Sequence, residues 1–227
     1  VAGAVERVVT ADQPRGPSSI FFSNRKATAA GAALVNGTAA HALDYDDVAL
    51  KDSHPSAVLV PAILAEAQAL NSSGRDMITA YAAGYEVWAD LIAREKGNYQ
   101  RKGWHPTGIF GAIGAAAACA SLHRLKAKAA TNALGAAASQ ASGVMSNLGS
   151  MVKPTHPGHA AACGIYAARF AEAGIESSPD ALEHAQGWLA ALSPAGEVDR
   201  DTPPKLGETW QLERQRSEEH TSELQSR

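Results

Sequence analysis

The residues most able to do chemistry lie in four short segments between Asp44 and His156. The densest is Asp44-Tyr45-Asp46-Asp47, with His54 ten residues after Asp44. Three carboxylates within four positions repel one another, so at least one is expected to be solvated, paired with a cation or raised in pKa. The other segments are marked by Gly or Pro: His54-Pro55-Ser56, Gly103-Trp104-His105-Pro106 and Val152-Lys153-Pro154-Thr155-His156. An imidazole titrates near ~6.5 and can give or take a proton at neutral pH. A lysine supplies a standing positive charge for a substrate carboxylate. Each feature also has a simpler reading, in which the acids cap the next helix and each histidine is a satisfied structural group. Position joins them: every one falls at the end of an apolar helical run, and such loops can share a cleft.

The same acids admit a second chemistry. Asp44, Asp46 and Asp47 could hold Mg²⁺ against a diphosphate, as in helical prenyl-transfer enzymes, although the chain lacks the second acidic motif such sites use. The mid-loop Gly and closing Glu of an EF-hand are absent too. Cys119 and Cys163 stand in Ala-rich stretches with no zinc or disulfide-framework spacing, and read as small buried core residues. A third reading is a non-catalytic helical fragment.

Positioning these groups falls to helices. Alanine dominates the 45% apolar content while aromatics reach only 6%, which favours close-packed helices over sheets. The expected class is all-α, a compact helical bundle with functional loops at helix ends. Helices are predicted over residues 26–43, 54–70, 76–96, 107–122, 127–142 and 158–173, with a short one over 179–186. Within 76–96, Ile78, Tyr81, Tyr85, Trp88 and Ile92 recur at spacings of three and four, and Gly97 offers a stop. Gly108, Gly111, Ala115 and Ala118 form a smooth stripe for a neighbouring helix. Residues 1–23 read as a weakly patterned lead-in, broken at 14–19, and residues 44–53 and 98–103 as loops. No run has a strand period, and no internal repeat is present.

The net charge of -3, without a Lys/Arg block, points away from nucleic acid and anionic membranes. The longest apolar run, 108–122, is too short to span a bilayer, and no signal-peptide pattern opens the chain, so a soluble protein is expected. Both ends read as incomplete. The chain starts at Val1, and Arg216 to Ser226, RSEEHTSELQS, matches one frame of a widely used short-read sequencing adapter. The domain is therefore expected over residues 1–215, with 216–227 disordered and outside the fold argument.

The run Asn36-Gly37-Thr38-Ala39-Ala40-His41-Ala42-Leu43-Asp44-Tyr45-Asp46-Asp47 resembles the signature of the MmgE/PrpD family. His54-Pro55-Ser56, Gly84-Tyr85-Glu86-Val87, Gly103-Trp104-His105 and then Lys153 with His156 and Gly158 follow in family order. The resemblance covers about residues 27–187. It implies the family's helical domain, with the α+β lid domain and an opening helical segment lying outside this chain. It further implies a cofactor-independent, metal-free lyase that moves a proton at a carbon next to a carboxylate of a small di- or tricarboxylic acid.

Among the family's reactions the reading favours the 2-methylcitrate dehydratase type, with cis-aconitate decarboxylase and an epimerase as alternatives. At Val48 the decarboxylase branch carries a threonine. Carried over by position, the resemblance makes Asp44, His54, His105 and Lys153 catalytic, and His41, Ser56 and His156 substrate-binding. It also implies a homodimer at full length, and a cytoplasmic location or, in a eukaryote, a mitochondrial one.

Overall fold

Alanine and glycine decide how closely the helices of this chain approach one another. The computed structural model describes residues 1–11, 15–21 and 23–214. Among these, the helices are α1 (Ala2–Ala11), α2 (Ala29–Ala40), α3 (Pro55–Leu70), α4 (Gly74–Ala93), α5 (Tyr99–Lys102), α6 (Pro106–Leu122), α7 (Ala127–Ala138), α8 (Thr155–Glu172) and α9 (Trp188–Leu192). A two-residue antiparallel ladder, β1 (Ser18–Ser19) on β2 (Lys26–Ala27), places Ser18 opposite Ala27. The all-α expectation holds.

Helices α6 and α8 form the centre, and α6 is buried along nearly its whole length. They approach so closely that a Cβ on Gly164 would stand 2.3 Å from the Ala115 Cβ. On the other side of α8, a Cβ on Gly37 of α2 would lie 2.7 Å from the Gly158 Cα. Large side chains fill the remaining space: Trp88, Tyr85 and Phe110 are buried, and Phe110 meets Tyr99 and Trp188 edge-on, each at 4.9 Å. Small residues at crossings and a few large rings between them reach the density a stable interior needs.

Helix polarity follows from the contacts at the two ends. Helices α3, α6 and α8 start at one pole, where His54 and His105 cap the first two and His156 opens the third. Proline at the first position of α3 and α6 fits, because the missing N–H has no intrahelical partner there. Helix α2 arrives at that pole by its C-terminal end, at His41. At the far pole the same three helices are pinned together by buried Glu66. It accepts from Arg169 Nε and Nη2 at 2.8 Å each and lies 2.7 Å from His123 Nε2.

The structure departs from several sequence expectations. Residues 1–11 are largely helical instead of a lead-in, because Val9 and Val5 pack on the core, a tertiary contact invisible in so short a pattern. Residues 179–186 form turns, and the helix lies beyond them in α9, anchored by buried Trp188 and Leu189. Helix α4 ends at Ala93, ahead of Gly97, since Lys51 Nζ takes up the carbonyls of Ile92 and Glu95 at 3.1 and 2.5 Å. Helix α7 ends at Ala138, and the basic loop at 98–103 contains the single turn α5, capped by Asn98. Cys119 and Cys163 are free and buried, as expected. Among the described residues no helix is long and apolar enough to cross a membrane. Residues 216–227 lie outside those described.

Candidate active site

Each site side chain sits where a helix begins or ends. His41 closes α2 and is buried, because Gly37 brings α2 against the backbone of α8. His54 opens α3, its backbone N–H donating to Thr107 Oγ1 at 3.1 Å, which ties the starts of α3 and α6. His105 opens α6, and its N–H donates to the Gly143 carbonyl at 3.0 Å. Lys153 precedes α8, and His156 lies in its first turn.

The loop between His41 and His54 is held in an unusual conformation. Asp44 has φ 58°, and Leu50, Lys51 and Asp52 follow with φ 49°, 56° and 61°. Left-handed backbone costs a non-glycine residue about 1–2 kcal/mol, least for Asp, so the loop needs outside support. Lys51 supplies it by clamping onto the end of α4.

The three acids of the cluster face three different partners. Asp44 Oδ2 accepts from Lys153 Nζ at 2.6 Å. Asp46 lies between two imidazoles, 2.8 Å from His41 Nδ1 and 3.2 Å from His54 Nδ1. Asp47 accepts from the Ser56 N–H at 3.1 Å and so caps α3. Both sequence readings are therefore realised, capping by Asp47 and a polar site by Asp44 and Asp46. With their oxygens directed this way, the three acids do not form one oxygen-lined Mg²⁺ site; among the described residues Asp47 is in neither group able to share an ion.

Burial acts to raise the Asp46 carboxyl, but hydrogen bonds and charge from His41 and His54 outweigh it and hold the group well below the usual range. Asp47 goes the other way, raised by burial against the bonds from Ser56. His105 is pushed down to about 3, first by burial and then by His156, His41, His54 and Lys153 around it. His156 is lowered by burial first, and then by His41, His159 and Lys153. The His105 and His156 Nδ1 atoms are 3.0 Å apart, so one must donate and the other accept, and the two rings hold opposite tautomers.

These groups border a cavity of about 850 Å³. His41, Asp44, His54, His105 and Lys153 are all on its wall, joined by Val48, Asp52, Gln100, Met145, Leu148 and Met151. Two predicted substrate-binding residues stand elsewhere. The Ser56 hydroxyl faces the Tyr81 hydroxyl at 2.8 Å, and His156 sits behind His105, bordering a second cavity of about 630 Å³. Sequence reasoning leaves Asp46 out of the site. Its place within Asp44-Tyr45-Asp46-Asp47 is the available signal, but only geometry separates it from its neighbours. A lysine-neutralised carboxylate, clustered imidazoles and an oriented histidine pair can bind an anion and exchange protons with it.

Residues 1–201 match the MmgE/PrpD N-terminal domain. The chain belongs to the MmgE/PrpD family. Among curated relatives, it is 33% identical over 213 residues to cis-aconitate decarboxylase of Homo sapiens, covering 87% of this chain and 44% of that protein. It is 30% identical over 214 residues to the Mus musculus enzyme of the same name, covering 87% and 43%. A cis-aconitate decarboxylase of Aspergillus terreus is 28% identical over 213 residues, covering 87% and 43%. The chain thus spans less than half the length of these MmgE/PrpD relatives.

Proposed function

We propose that this chain is the helical part of a MmgE/PrpD-family lyase that decarboxylates an unsaturated tricarboxylate of the cis-aconitate type. The observation that carries the reading is the match across 87% of the chain to relatives named cis-aconitate decarboxylase. The cavity's chemistry supports it. The dehydratase preference gives way here to the family alternative that those relatives' names favour; Val48, where the decarboxylase branch carries a threonine, is one residue of the cavity wall.

In this reading Lys153 holds a substrate carboxylate, with Asp44 fixing the ammonium at 2.6 Å. The bond to the departing carbon dioxide breaks, and its electron pair delocalises into the unsaturated acid. His54 Nδ1–H donates to the Asp47 carbonyl at 2.9 Å, which leaves its Nε2 as an acceptor. His105, with Nδ1 accepting from His156, carries its proton on Nε2 and is the proton donor for the resulting carbanion. Asp46 keeps His41 and His54 in place and does not touch the substrate.

The test uses full-length protein. Carbon dioxide release from cis-aconitate is expected, with Lys153→Met slowing it on the order of 10²-fold while leaving helix content unchanged. Turnover of 2-methylcitrate with none of cis-aconitate would replace the decarboxylase reading by the dehydratase one. Full activity of Lys153→Met would remove Lys153 from the site.

A further inference from the structure

His41, His54 and His105 converge at the cavity, with one ring nitrogen of each within 4.8 Å of the other two. Their ring centroids are 4.4, 6.0 and 6.4 Å apart. Imidazoles sharing one ion at about 2.0–2.1 Å in a tetrahedral arrangement hold their ring centres about 5 Å apart, so shifts on the order of 1 Å would close the set.

Each ring also has its other nitrogen engaged. His41 Nδ1 is held by Asp46 at 2.8 Å, His54 Nδ1 by the Asp47 carbonyl at 2.9 Å, and His105 Nδ1 by His156 at 3.0 Å. Second partners of this kind orient metal-binding histidines. The decarboxylase reading gives no role to His41 Nε2, which is buried and which no described residue hydrogen-bonds. Asp44 Oδ1 is likewise buried without a hydrogen bond, 3.5 Å from His41 Nδ1 and 4.0 Å from His54 Nε2. Lys153 is the opposing charge, and it is already neutralised by the second oxygen of Asp44. An imidazole-rich set of this type suits zinc, nickel or copper and not magnesium or calcium.

We propose that His41, His54 and His105 bind one divalent transition-metal ion of the zinc class through their Nε2 atoms, with Asp44 Oδ1 or water as the fourth ligand. The ion would fill the space given above to the acid substrate and so inhibit turnover. That consequence rests on the decarboxylase reading; the binding itself does not.

The experiment is a calorimetric titration of Zn²⁺ into the chain carrying no affinity tag, with circular dichroism to verify each variant's fold. One ion per chain is expected, with affinity down at least about tenfold in His54→Gln and by about 10–100-fold in Asp46→Asn. His159→Gln, altering an exposed ring outside the triad, is expected to bind as the parent does. Absence of saturable binding overturns the proposal. So does binding that survives in His54→Gln and Asp46→Asn, or that is lost in His159→Gln. No turnover is read, so a negative titration leaves the lyase assignment standing, and an inactive full-length enzyme leaves the metal site standing.

Discussion

Replacing Asp46 by Asn tests the site's internal order without changing its size. Asp46 is 7% exposed and serves the Nδ1 atoms of both His41 and His54. An asparagine keeps one acceptor oxygen but turns an amide N–H₂ toward a ring N–H, so one charge-assisted bond is lost and a donor faces a donor. A hydrogen bond to a charged group contributes about 1.5–3 kcal/mol, and burial keeps water from replacing it, so Asp46→Asn is expected to cost about 2–3 kcal/mol. For a domain of this size that lowers Tm by about 4–12 °C. The pH dependence carries a sign. The folded Asp46 carboxyl lies below its ordinary value of 3.8, so its contribution is complete above that value and is lost as pH falls toward the folded one. Urea unfolding of parent and variant at about pH 7 should therefore show the full difference, and at about pH 3.5 a smaller one. Equal midpoints at neutral pH would refute the reasoning, as would a difference that stays constant down to the acid end.

The buried His105 ring, lowered to about 3, is expected to keep constant NMR shifts between about pH 5 and 8, and a titration near ~6.5 would contradict its environment. At the far pole, His123 is raised first by its bond to Glu66. Its stabilisation is full below the unfolded value of 6.5 and disappears as pH rises through the folded one, so His123→Gln should cost more near pH 6 than near pH 9 in thermal melts. Glu66→Gln should cost about 2 kcal/mol at neutral pH by urea unfolding, less than a wholly buried pair because Arg169 is 39% exposed. Gly164→Ala places a methyl group 2.3 Å from the Ala115 Cβ, and should lower stability by about 1–3 kcal/mol; an unchanged Tm would show that α6 and α8 can separate freely.

The helices were legible because their signals are local. Alanine density, the spacing of Tyr81, Tyr85 and Trp88, and proline at the starts of α3 and α6 each act within a few residues. The Asn36 to Asp47 run likewise announced the family whose N-terminal domain residues 1–201 match. What lay outside reach depends on partners distant in the chain. Helix α1 exists by packing on the core, α9 by Trp188 meeting Phe110, and the early end of α4 by Lys51. The same holds within the site. Composition placed three acids together, but only the fold assigned Asp44 to Lys153, 109 residues away, Asp46 to two histidines and Asp47 to the α3 cap. It also moved His156 behind His105 and turned Ser56 toward Tyr81. Sequence by itself determined which groups stand at helix ends, since propensity and capping are short-range. Tertiary structure decided which of them meet, because side-chain direction and burial are set by how helices cross.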